Sequence, residues 1–160
     1  MAVNKSEGII LTGGVKFSDS YETLKFYDEG VWTPVVEGDS TAGSYSYSTQ
    51  SGLYTRIGRE LFIEATLEGI TQVSAGSGDL KITGLSSLGF SYKTGDVHIG
   101  QMVSDTLNYG SFYGWGGAHL VGNDIYLVLS KTNAASVNVA MSMLVSGSTN
   151  LWVTIHAILN

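Results

Sequence analysis

From about residue 31 onward, apolar and polar residues alternate in short period-two runs broken by Gly, Ser, Asn and Asp. That pattern predicts antiparallel β-strands, and no stretch carries helical periodicity of useful length. The clearest run is Glu60 to Glu68. Leu61, Ile63, Ala65 and Leu67 fall on one face, and Phe62, Glu64, Thr66 and Glu68 on the other. Further strands are expected at Leu80–Thr83, Val97–Val103, Asp124–Ser130, Ser136–Met143 and Leu151–Leu159. Two runs, Ser44–Thr49 and Leu53–Ile57, flank Gln50-Ser51-Gly52, and three connecting residues ending in glycine suit a hairpin. Gly58-Arg59 then turns the chain into the Glu60 strand. The last strand is apolar on both faces, with Leu151, Val153, Ile155, Ala157 and Leu159 alternating with Trp152, Thr154, His156 and Ile158. A strand with two apolar faces is either central or needs cover from another subunit. On the second reading Trp152, Val153, Ile155, His156 and Ile158 lie at a subunit interface.

The first 30 residues read differently: a short apolar run, Gly8-Ile9-Ile10-Leu11, then Gly13-Gly14 and a polar stretch. They are expected to be a leader or attachment segment. Pro34, the single proline, holds Thr33 extended, so the folded module is expected to span 31–160, starting near Val31.

Composition agrees with the pattern. Gly, Ser and Thr supply 55 of the 160 positions, too many for a helical protein, while hydrophobic residues at 43% are enough for a core. The formal charge of −6 and the presence of only two arginines, Arg56 and Arg59, argue against nucleic-acid binding. Membrane insertion is not expected, because no run approaches the roughly 20 apolar residues needed to span a bilayer. Without cysteine there are no disulfides and no thiolate chemistry.

Catalytic and metal chemistry find no footing. His98, His119 and His156 are isolated in sequence and share no metal-ligand spacing. Glu64 and Glu68 share a strand face but sit about 13 Å apart by strand rise, too far for a glycosidase pair. Neither a nucleophile elbow nor a phosphate-binding glycine loop is present. No catalytic residue, metal or cofactor is expected. One cluster remains, Tyr109-Gly110-Ser111-Phe112-Tyr113-Gly114-Trp115-Gly116-Gly117-Ala118-His119. Its rings either fill the core of a glycine-kinked strand or form a glycan platform. In the platform reading Tyr109, Phe112, Tyr113 and Trp115 stack on sugar while Asp105 and Asn108 bind hydroxyls.

The segment Tyr27-Asp28-Glu29-Gly30-Val31-Trp32-Thr33-Pro34-Val35-Val36 resembles a motif of bacteriophage tail fibre and tailspike proteins, found near the start of a C-terminal β-rich module. Thr41–Tyr47, Gly52–Ile63 and Gly78–Leu85 follow in the family's order. The resemblance covers about Tyr27 to Leu85. It departs at Ser86, where the family usually has proline. It implies an all-β antiparallel sandwich or jelly-roll-like tip, homotrimeric, carried on the virion and made in the host cytoplasm. The implied role is non-enzymatic adhesion to a bacterial surface receptor such as a glycan, with residues 1–30 joining other tail proteins. Two alternatives stand beside it: a structural trimerisation or cap module without receptor contact, and a small glycan hydrolase or esterase.

Overall fold

The computed structural model describes residues 26–92, 99–108, 116–130 and 135–160. Among them the chain is all-β: eleven strands and two short 3-10 turns. The strands are β1 (Tyr27–Trp32), β2 (Val35–Gly38), β3 (Ser44–Ser46), β4 (Thr49–Ile57), β5 (Glu60–Ser74) and β6 (Leu80–Thr83). They continue with β7 (Ile99–Asp105), β8 (Gly116–Val121), β9 (Asp124–Leu129), β10 (Val137–Asn138) and β11 (Thr149–Ile158). Every pairing is antiparallel, along the path β1-β4-β5-β11-β7-β8-β9-β6-β2, with β3 on the far end of β5 and β10 on β9. The sheet curls around one core as a half-barrel. Its two ends, β1 and β2, are consecutive in the chain and joined by Thr33-Pro34.

Period two explains the core. In β5, Leu61, Ile63, Ala65 and Leu67 point inward and are buried. They register against Ala157, Ile155, Val153 and Leu151 of β11, which are buried as well. Met102, Ala118, Leu120, Ile125, Leu127, Leu80, Ile82 and Val36 continue the same cluster around the curl. β11 is thus an interior strand, held by β5 on one side and β7 on the other. Val153 and Ile155, each 2% exposed, belong to the module's own core rather than to a subunit interface. Alternation sends Asn150, Trp152, Thr154, His156 and Ile158 outward.

Three local expectations change. Gln50-Ser51-Gly52 is not a turn: β4 runs through it, paired residue by residue with β5. Gly52 is needed there because the Trp32 indole lies against it, and a β-carbon would come within 2.5 Å of Nε1. The expected strand Ser136–Met143 shrinks to Val137–Asn138 followed by a 3-10 turn over Met141–Met143. Past β10, the Val139 N–H still follows the β9 register by donating to the Leu127 carbonyl (2.8 Å), and the Met141 N–H then donates to that of Gly78 (2.9 Å). β1 begins at Tyr27, so the expected boundary near Val31 falls inside a strand, and residues 1–25 lie outside the described residues. Gly58-Arg59 does connect β4 to β5, and Gly58 takes a left-handed φ of 64° there.

Candidate functional site

The outward side of the sheet is organised by register. One row crosses nine strands: Glu29, Thr55, Phe62, His156, Ile99, His119, Tyr126, Lys81 and Glu37. Within it, the Phe62 and His156 rings stack with centroids 4.8 Å apart and planes 8° from parallel. His119 and Tyr126 stack at 5.8 Å. His156 Nε2 is paired with the Glu60 carboxylate on the next strand. A second row, two residues along each strand, is Val31, Leu53, Glu64, Thr154 and Gln101.

Between the two rows, over β5, β11 and β7, lies a trough of about 340 Å³ lined by Phe62, Glu64, Ile99, Gln101, Thr154 and His156. Its walls differ in chemistry. Phe62, His156 and Ile99 make one wall and Glu64, Thr154 and Gln101 the other, and all six are exposed. The side chains of Glu64, Thr154 and Gln101 make no hydrogen bond or ion pair to another described residue. Beneath them Ile63 and Ile155 are locked in the core at 1% and 2% exposure, so the trough has a rigid floor.

Acid charge dominates this side: Glu29, Glu60 and Glu64 face outward there. At the opposite end of the nine-strand row Lys81 Nζ meets Asp124 at 2.8 Å, and that hydrogen bond raises the lysine pKa. Among the described residues no group of three His, Asp or Glu is placed to hold a metal. No helix is long and apolar enough to cross a membrane.

Of the six residues expected to bind ligand, Asp105 and Asn108 are among the described residues. Asp105 ends β7, where its carboxylate accepts from the Asn150 backbone N–H (3.1 Å) and side-chain Nδ2 (2.8 Å). It therefore fastens β7 to β11, a structural task. Asn108 is exposed, and its backbone N–H donates to the Met143 carbonyl at 2.9 Å. Tyr109, Phe112, Tyr113 and Trp115 lie outside the described residues. The expected interface residues Trp152, His156 and Ile158 are outward on β11, and among the described residues no second strand layer lies above them. Sequence reading passed over Ile99, Gln101 and Thr154. Alternation within 99–105 and 151–159 marks their faces, but not that β7 and β11 are neighbours.

No protein-family model matches the chain, and no curated protein matches it. Among solved structures, the chain is similar to the crystal structure of Dettilon tailspike protein (gp208), at 19% sequence identity and a TM-score of 0.64. The match covers 84% of this chain and 24% of that one, so the chain spans about a quarter of the tailspike's length. At this identity the likeness is one of fold: the curled antiparallel module described above also occurs as a segment of a phage tailspike.

Proposed function

We infer that the chain is a non-enzymatic tip module of a bacteriophage tail protein, adhering to a bacterial surface glycan and assembling as a homotrimer on the virion. The fold shared with a tailspike segment is the observation that carries this reading. The motif series from Tyr27 to Leu85 supports it independently. Residues 1–30 are assigned to contact with other tail proteins, although Tyr27–Gly30 also serve as the start of β1.

Assembly is supported by apolar surface at the β1–β4 edge. Tyr27 and Ile57 face each other across the strands, as do Val31 and Leu53. Their exposures are 62%, 41%, 74% and 49%. Copies packed around a threefold axis would bury this edge and gain robustness that a chain without cysteines cannot obtain from disulfides. Three copies would also multiply a weak receptor contact into avidity.

Light scattering on the intact protein, run beside a host-cell binding assay, tests the proposal. The expected result is three times the 17.0 kDa chain mass together with cell binding. A monomer removes the trimer. A trimer that binds no cells supports the second reading, a structural cap, which the same apolar edge favours.

A further inference from the structure

We propose that the trough over β5, β11 and β7 is a carbohydrate subsite that takes an uncharged pyranose chain. The assignment rests on the adhesion reading and gives that reading a location. A pyranose ring has apolar C–H surface and a rim of hydroxyls, so it needs an apolar wall and a hydrogen-bonding wall within one ring's reach. Phe62, His156 and Ile99 supply the first, and Glu64, Thr154 and Gln101 the second. The two rows are two residues apart on each strand, about 7 Å by strand rise. The polar wall offers a carboxylate acceptor, a hydroxyl that both donates and accepts, and an amide with both functions. None of the three is engaged with another described residue.

The other occupants fit less well. A peptide added as a strand needs an unpaired edge, and β5, β11 and β7 are each paired on both sides. A second copy seated here by twofold symmetry would bring its own Glu60 and Glu64 against the same acids, and a threefold neighbour has the apolar β1–β4 edge to pack on instead. The same field repels anionic sugars. Strands carry all six lining residues, so little order is lost on binding. Beyond Ile99 the row continues through the stacked His119 and Tyr126, about 10 Å further by strand spacing. That extension suits a chain of several sugars rather than one.

The test uses the intact protein on a printed array of bacterial lipopolysaccharide O-chains and capsular polysaccharides. The best-bound glycan is then titrated by calorimetry against Phe62→Ala and Gln101→Ala, with the mass and melting point of each variant checked. An uncharged glycan that binds at least tenfold more weakly to both variants, at unchanged mass, is the expected result. Undiminished binding in either variant, or a preference for anionic glycans, overturns the subsite and leaves adhesion standing. A changed mass also overturns it, because the face is then a contact between copies. If the protein binds whole cells but no arrayed glycan, the subsite falls alone. If it binds neither, the adhesion reading falls with it.

Discussion

The Trp32 indole packs face-on to Gly52 across the β1–β4 pair, and its N–H points on to the Glu64 carbonyl at 3.1 Å and the Leu53 carbonyl at 3.3 Å. One side chain thereby ties β1 to the backbone of both β4 and β5. Gly52→Ala places a methyl group within 2.5 Å of the indole and is expected to cost about 1–3 kcal/mol as Trp32 shifts. Trp32→Ala is expected to cost about 3–5 kcal/mol. Urea unfolding of the two variants beside the parent checks both figures. A neutral Gly52→Ala would mean the contact is looser than described.

Ile155→Asp is expected to prevent folding, since the carboxylate enters the core opposite Ile63 in the interior of the sheet. Ile155→Val should cost only about 0.5–1.5 kcal/mol. Circular dichroism and soluble yield distinguish this from a pure interface effect, which would leave a folded monomer.

The paired substitution Val31→Lys with Leu53→Lys tests the β1–β4 edge. Both side chains are exposed, at 74% and 49%, so the fold should survive with a loss under about 1 kcal/mol. If this edge joins the copies, light scattering should report a folded chain of 17.0 kDa. An unchanged oligomer would move the contact elsewhere.

Much of this fold was readable in the sequence, because a strand buried on one side must alternate. The inward and outward faces of β5, β9 and β11 follow directly from Leu61–Glu68, Asp124–Ser130 and Leu151–Leu159. What alternation cannot convey is neighbourhood. Nothing in residues 99–105 says that they lie beside 150–156, so the trough, made from three strands distant in sequence, was invisible. Gly52 misled for a related reason: a glycine that admits a tryptophan ring looks the same in sequence as one that allows a turn. β8 was hidden by Gly116-Gly117, which read as part of the aromatic cluster rather than as a strand start.

Alkaline pH should destabilise the module more than its surface tyrosines alone would. Burial pushes the Tyr92 phenol up to about 12 from its ordinary 10. Tyr47 is also raised, by burial first, against the opposing effect of the Val36 N–H that bonds its oxygen. In that window the unfolded chain loses its phenol proton before the folded one does. The stabilisation is therefore complete below pH 10 and is lost as pH rises toward 12. Tyr92→Phe should flatten the fall of melting temperature between pH 10 and 12, and an unchanged slope would assign the effect to other groups.

The position of β11 sets a rule for biosynthesis. Of this module's described strands, the one synthesised last is the one onto which β5 and β7 zip, and without it the sheet is two separate flaps with bare edges. A nascent chain stalled before Thr149 has no half-built version of this module to settle into. Translation that stops short of this strand yields a product with open sheet edges, exposed to proteolysis and to aggregation.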